Sequence, residues 1–292
     1  MKKLLITGAH SYIGTAVRDY LSQWPDRYEV TPVSVSDGSW KDQSFQGFDA
    51  VLHVAAIVHQ SGSKNDPSQW PAYERVNTTL AIEVAEKAKQ AGVGQFIFMS
   101  SASVYGLDAA LGQTVTITAD TPLNPKDHYG LSKLKAEEGL CALTGENFKL
   151  AILRPPMIYG KGCKGNYPKL AALAKKLPVF PAVDNRRSML YIGNLTEFIR
   201  LILDDEAEGI FCPQDREYVS TCDMVKLIAH CHGRNILMVK GVTWALKLLR
   251  PFTSAVDKAF GSLCYDKALS AYPGDYQITD LADAIRETEE DE

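Results

Sequence analysis

The sequence predicts an α/β fold, a doubly wound parallel sheet with a smaller C-terminal lobe. Three observations lead there. Short β-branched runs alternate with amphipathic segments through the first half of the chain. A glycine-bearing turn joins the first run to the first helical segment. From about Met157 the texture changes, with prolines at Pro168, Pro178, Pro181 and Pro213 and shorter helical stretches. Strand–helix alternation implies right-handed crossovers, because a twisted strand feeding a right-handed helix returns to its sheet only that way.

Taken in order, the strands are read over Lys3–Thr7, Glu29–Val35, Ala50–Val54, Gln95–Ser100 and Lys149–Arg154. The apolar stretch that opens the chain is too short for a signal-peptide core and suits a first strand. Helices are read over Tyr12–Gln23, Asn77–Gln90 and Tyr129–Leu143. In Asn77–Gln90 the apolar Leu80, Val84 and Ala88 recur every fourth residue while Glu83, Glu86, Lys87 and Lys89 fall elsewhere, which suits a helix covering a sheet. Ala91-Gly92-Val93-Gly94 stops that helix. Only about a dozen residues separate the second and third strands, and Asp37-Gly38-Ser39 is turn-like, so that crossover is expected to be abbreviated. Later helices are read over Leu195–Leu203 and Thr221–Cys231, and Glu287–Glu292 as an acidic, frayed tail. The expected domains are 1–156 and 157–292, with some later elements returning to the first.

Composition sets limits on function. With 46% hydrophobic residues in 292, the chain can bury a large core without disulfides. Its six cysteines form no Cys-x-x-Cys pair and are read as reduced thiols in a cytoplasmic protein. His230-Cys231-His232 points its side chains in different directions and has no second ligand pair, so no metal is expected. A net charge of −4 lacks a nucleic-acid binder's footprint. No apolar run reaches the roughly 18–20 residues that span a bilayer, so neither nucleic acid nor membrane is expected as a partner.

Three motifs carry chemistry. Thr7-Gly8-Ala9-His10-Ser11-Tyr12-Ile13-Gly14 leaves the first strand and enters a helix, where free amides and the positive dipole end favour a pyrophosphate. Gly8 and Gly14 stand where the backbone bends sharply or approaches the phosphate. Tyr129-Gly130-Leu131-Ser132-Lys133 places a tyrosine and a lysine one helical turn apart, and a nearby ammonium favours the phenolate. Tyr129 is then suited to exchange a proton near neutral pH. Met99-Ser100-Ser101-Ala102-Ser103-Val104-Tyr105-Gly106 ends the fourth strand, at the sheet edge where such folds bind ligands. Each motif alone also fits an ordinary turn or surface helix.

In this order and on these elements, the motifs resemble the extended short-chain dehydrogenase/reductases, in particular their NAD-dependent epimerase/dehydratase branch. The likeness continues through His53-Val54-Ala55-Ala56, Val76-Asn77-Thr78, Leu153-Arg154-Pro155-Pro156-Met157-Ile158-Tyr159-Gly160 and Arg187-Ser188-Met189-Leu190-Tyr191-Ile192. It implies a Rossmann-type domain with a substrate-binding lobe. It further implies Ser101, Tyr129 and Lys133 as the catalytic set, with Ser103 competing for the serine's role. Gly8, Ser11, Tyr12, Ile13, Gly14, Ser34, Val54, Ala55, Ala56 and Asn77 would then hold the cofactor together with Tyr129 and Lys133. Ser103, Tyr105, Asn166, Tyr167 and Arg187 would meet a nucleotide sugar, with Arg187 on its diphosphate and Asn166 and Tyr167 in a contact loop. Homodimers through a helical face are usual in the family, and the two long helices after the third and fourth strands are suited to pair that way.

Three departures qualify the resemblance. Ser11 replaces the usual middle glycine. Ser34 stands where NAD-specific members carry an acidic residue, while no arginine is close by for a 2′-phosphate and Asp37 is a possible substitute, so NAD is expected and NADP stays open. Ala102-Ser103 replaces the Asp-Glu of 4,6-dehydratases, which argues against dehydration. The leading expectation is a UDP-sugar 4-epimerase working through a 4-keto sugar. The alternatives are an NADPH-dependent 4-keto-sugar reductase and a non-catalytic cofactor sensor, which has no need of the Tyr–Lys pair.

Overall fold

The computed structural model describes residues 1–8, 10–58, 65–249 and 255–290. The strands are β1 Lys2–Thr7, β2 Tyr28–Val33, β3 Ala50–His53, β4 Gln95–Met99, β5 Thr114–Ile117, β6 Lys149–Leu153, β7 Met157–Tyr159, β8 Val179–Pro181, β9 Met189–Tyr191, β10 Gly209–Phe211, β11 Leu237–Val239 and β12 Ser262–Tyr265. The helices are α1 Tyr12–Leu21, α2 Trp70–Tyr73, α3 Leu80–Gln90, α4 His128–Cys141, α5 Asn166–Lys176, α6 Ile192–Asp204, α7 Thr221–Cys231, α8 Thr243–Leu249, α9 Ala255–Phe260 and α10 Leu281–Glu289. None of the described helices is long and apolar enough to cross a membrane. Two compact units form: Met1–Gly106 with Pro122–Pro155 and Thr196–Pro213, and Leu107–Thr121 with Pro156–Leu195 and Gln214–Glu292.

The first unit holds a six-stranded parallel sheet in the order β10-β6-β4-β3-β1-β2. Its central strands are buried on both faces, so Val51, Leu52, Phe96, Ile97 and Phe98 read as continuous apolar runs rather than alternating ones. On one side Ala81, Val84, Ala85 and Ala88 of α3 and Ala136 and Leu140 of α4 complete the core. The β2–β3 crossover is abbreviated as expected, to a 3₁₀ turn over Gly38–Lys41. Trp40 and Phe45 fill the sheet face that a helix would otherwise cover. Because β1 has β2 on one side and β3 on the other, the winding reverses there, and the carboxyl ends of β1 and β3 form the crevice where such sheets take ligands.

The five anticipated strands are present within two residues at each end. The sixth, Gly209–Phe211, is three residues long and carries no periodic signal. Asn77–Gln90 is not one regular helix: Glu74–Thr79 is a π-helical segment and only Leu80–Gln90 is α-helical.

The second unit contains three two-stranded parallel sheets, β11-β8, β12-β5 and β7-β9. Glu287–Glu289 do not fray there. They close α10, whose Ala284 and Ile285 are buried. Tyr191 donates to Glu287 at 2.5 Å, Tyr167 donates to Glu289 at 2.8 Å, and Lys175 and His232 each reach Glu289 at 2.7 Å. The amphipathic pattern of α10 and these carboxylate partners outweigh the repulsion that the acidic run suggested; residues 291–292 lie outside the described residues.

Candidate active site

The turn after β1 is shaped around Gly8. Its φ is +92°, and a Cβ there would lie 3.0 Å from the Ala55 amide nitrogen, so the loops after β1 and β3 touch through a residue that only glycine supplies. The Gly8 amide donates to the Val33 carbonyl at 3.1 Å and the Val54 amide to the Thr7 carbonyl at 3.2 Å, which holds three strand ends together. Ser11 caps α1, accepting from the Gly14 amide at 3.0 Å, while its own amide donates to the Gly8 carbonyl at 2.8 Å. The serine in place of the middle glycine is thus accommodated as an N-cap. A Cβ on Gly14 would crowd the Gly8 carbonyl at 3.0 Å. Tyr12 and Ile13 follow in the first turn, where amides and dipole favour an anion.

Ser34 stands just past β2, its hydroxyl 2.9 Å from that of Ser36. Asp37 is engaged in its own turn, accepting from the Ser39 amide at 2.9 Å and the Ser39 hydroxyl at 2.5 Å. Below the crevice His53 is fully buried, hydrogen-bonded to Thr7 at 2.8 Å and stacked beside Phe96 and Phe98. Burial, with Lys133 nearby, lowers its pKa to about 3, so the ring is neutral. A cradle that a Cβ would fill, with open amides beyond it, fits a dinucleotide.

Asn77 joins this cradle to α4. Its side-chain oxygen accepts from the Ile57 amide at 2.8 Å, and its nitrogen donates to the Ile57 carbonyl at 2.9 Å and to Ser132 at 3.0 Å. Thr78 adds a bond to the Ser132 carbonyl at 2.8 Å. The π-helical register turns consecutive residues, Asn77 and Thr78, toward one partner.

At the end of β4, Ser101 caps a 3₁₀ turn over Ala102–Tyr105; its hydroxyl accepts from the Ser103 amide and donates to the Ser103 hydroxyl, both at 3.1 Å. Tyr129 enters α4 one residue after its start, with Asp127 as N-cap. Gly130 permits the approach of helix and turn, for a Cβ there would sit 2.5 Å from the Ser103 carbonyl. Burial raises the Tyr129 phenol to about 12, and the Ser101 hydroxyl pulls the other way. Lys133 is 1% exposed, and burial lowers its pKa to about 7 against the opposing charge of Glu137. Its ammonium donates to the Met99 carbonyl at 2.7 Å and lies 4.6 Å from the Phe98 ring centre. The expectation that Lys133 lowers the Tyr129 pKa is therefore not met in this arrangement, where the lysine is held by the backbone of β4.

Tyr105, read above as a substrate contact, is turned into the core. It is 5% exposed, accepts from Arg154 at 3.0 Å and lies 3.7 Å from the Cys212 sulfur. Arg154 also grips Glu137 at 3.1 and 2.5 Å, and Ser100 donates to the same carboxylate. A buried guanidinium needs several acceptors, and Tyr105 supplies one.

In the second unit, Asn166, Tyr167 and Arg187 line one cavity of about 510 Å³ with Met157, Met189 and Thr221. Asn166 and Tyr167 open α5 rather than lying in a loop, because Gly165 ends the preceding turn with a φ of +102°. The Tyr167 hydroxyl is committed to Glu289 and its ring stacks on Tyr159 at 5.8 Å. Arg187 donates to the Gly261 carbonyl at 2.8 Å, and burial lowers its pKa.

A sequence model of the NAD dependent epimerase/dehydratase family matches residues 4–211. The chain belongs to this family. UDP-glucose 4-epimerase of Vibrio cholerae is 29% identical over 291 residues, spanning 91% of this chain and 87% of that one. N-acetyl-alpha-D-glucosaminyl-diphospho-ditrans,octacis-undecaprenol 4-epimerase of Escherichia coli O157:H7 is 32% identical over 223 residues, 70% of this chain and 64% of that one. A crystal structure of UDP-glucuronic acid 4-epimerase from Bacillus cereus in complex with NAD has a TM-score of 0.71 at 19% identity, covering 98% and 96% of the two chains, and shares the fold.

Within this NAD-dependent epimerase/dehydratase chain, sequence reasoning passed over Gly130, Ser132 and Glu137. Gly130 and Ser132 lay inside the Tyr129–Lys133 motif and were quoted without a role. Glu137 had a legible signal: it is a carboxylate one turn beyond Lys133 on the same helix face.

Proposed function

We propose that the chain is a cytoplasmic NAD-dependent epimerase that inverts C4 of a UDP-sugar through a 4-keto intermediate. The observation that carries this reading is the close approach, through Gly130, of the Tyr129 turn of α4 to the Ser101–Ser103 turn at the carboxyl edge of β4, in a chain aligned with UDP-glucose 4-epimerase over 91% of its length. Bound nicotinamide supplies hydride chemistry at the sugar carbon. Tyr129 exchanges the proton of the 4-hydroxyl, Ser101 holds the oxygen during that exchange, and Lys133 carries the positive charge one turn away. Gly8, the α1 amides and Asn77 hold the cofactor side, while Arg187 takes the nucleotide diphosphate and Asn166 contacts the sugar nucleotide. Ala102-Ser103 lacks the acid pair that dehydration needs. Two copies pair through α3 and α4.

Ser34 favours a second reading. Without a carboxylate at the end of β2, a 2′-phosphate meets no repulsion, as an NADPH-dependent 4-keto-sugar reductase requires. Proton NMR of the purified protein with UDP-glucose and UDP-N-acetylglucosamine, no cofactor added, separates the two. The 4-epimer is the expected product. No conversion, followed by NADPH oxidation with a UDP-4-keto-sugar, sinks the epimerase and establishes the reductase.

A further inference from the structure

The charges of the second unit are distributed unevenly along its sequence. From 156 to 183 there is no Asp or Glu, yet Lys161, Lys164, Lys169, Lys175 and Lys176 all fall there. From 224 to 256 there is again no acid, with Lys226, Arg234, Lys240, Lys247 and Arg250. The chain as a whole carries −4, so these basic stretches stand out from an acidic remainder. Lys175 and Lys226 are neutralised by Glu289 and Asp223. Lys240 and Lys247 are exposed and form no ion pair among the described residues.

The same stretches present large apolar side chains to solvent. Val179 of β8 and Leu237 of β11 are direct partners in their sheet and stand 46% and 66% exposed. On α8, Trp244 and Leu248 lie one turn apart, so they share a face, and they are 66% and 64% exposed. Leu173 of α5 and Leu177 just past it are exposed as well, at the rim of the cavity lined by Asn166 and Arg187. A soluble protein rarely places tryptophan and leucine in water beside unpaired lysines without a use for both. That combination matches an anionic bilayer surface: the apolar side chains enter the headgroup boundary and the ammonium groups meet lipid phosphates. Lys240 and Lys247, exposed on either side of Trp244 in the sequence, supply the positive charge that lipid phosphates would meet.

We infer that the exposed apolar side chains of β8, β11 and α8, together with Lys240 and Lys247, dock on the surface of an anionic phospholipid bilayer. This revises the expectation that no membrane is a partner, since peripheral docking needs no spanning helix. It is independent of the reaction performed in the first unit.

The test is co-sedimentation of the full chain with vesicles of phosphatidylcholine containing ~30% phosphatidylglycerol, against pure phosphatidylcholine, at ~0.05 M NaCl. Binding is expected with the anionic vesicles alone, accompanied by a blue shift of tryptophan emission. It should weaken at ~1 M salt, where charge attraction dies within about 3 Å. Lys240→Glu with Lys247→Glu, and separately Trp244→Ala with Leu248→Ala, should each weaken binding at least tenfold while melting as the parent does. Equal binding to both vesicle types, no binding at low salt, or unaltered binding by the charge-reversed variant overturns the inference. So does a parent that self-associates in ultracentrifugation when Trp244→Ala does not, for then a second copy covers the face.

Discussion

Tyr129 stands under opposing influences, with burial raising its phenol to about 12 and the Ser101 hydroxyl lowering it. Replacing Tyr129 by Phe keeps the ring and removes the proton, so turnover should fall about 10²–10⁴-fold with melting little changed. Ser101→Ala should cost more turnover than Ser103→Ala, because Ser101 is the hydroxyl that draws the Tyr129 pKa down; NMR epimerisation rates check both. Lys133 adds a pH signature. Folded, it releases its proton near 7; unfolded, near 10.4. Between those values the unfolded chain holds more protons, so its contribution to stability rises with pH across that window. The stability difference between parent and Lys133→Met should therefore climb from pH 7 to 10, by on the order of 3 kcal/mol; a flat difference in thermal melts would show an ordinary lysine. The serine, tyrosine and lysine were legible because each sits in a short motif. Tyr105 was misread because its partner Arg154 is far along the chain, and no local pattern says that a turn tyrosine points inward.

Among the elements, α4 matters most to the site, since it presents Tyr129 and Lys133 and receives Asn77 and Thr78 through Ser132. Its closeness to the β4 turn depends on Gly130. Gly130→Ala drives a methyl into the Ser103 carbonyl, so a loss of about 1–3 kcal/mol in stability is expected together with reduced turnover. Gly38→Ala, where nothing lies within 4 Å, is the matched control and should melt as the parent does. The periodic helix α7 was legible because burial on one face imposes its spacing, and β1 and β4 because burial on both faces makes them continuous apolar runs. The π-helical register at Glu74–Thr79 was not, since it follows from Asn77 and Thr78 both meeting Ser132 rather than from local propensity. Nor was β10, whose three residues owe their extended form to pairing with β6.

At the scale of the molecule, α10 is tied into the second unit through Glu287 and, with more partners, Glu289. Burial pushes the Glu289 pKa up, but bonds from Lys175, His232 and Tyr167 outweigh it and leave the value lowered. A carboxylate depressed in the folded state contributes stability above its unfolded pKa and loses it as pH falls through the folded one. Melting of Glu289→Gln should therefore lie below the parent at neutral pH by about 1–3 kcal/mol and converge with it in acid. The acidic letters of 287–292 concealed this, because an isolated run of carboxylates reads as solvated until tyrosine hydroxyls from α5 and β9 are known to meet it. The abbreviated β2–β3 crossover has an optical consequence. It leaves Trp40 sealed at 3% exposure in the first unit, while Trp244 is open at 66% in the second. Iodide should quench Trp244 and spare Trp40, so that with Trp24 and Trp70 replaced by Phe the quenched and the protected emission report on the two units separately as they unfold.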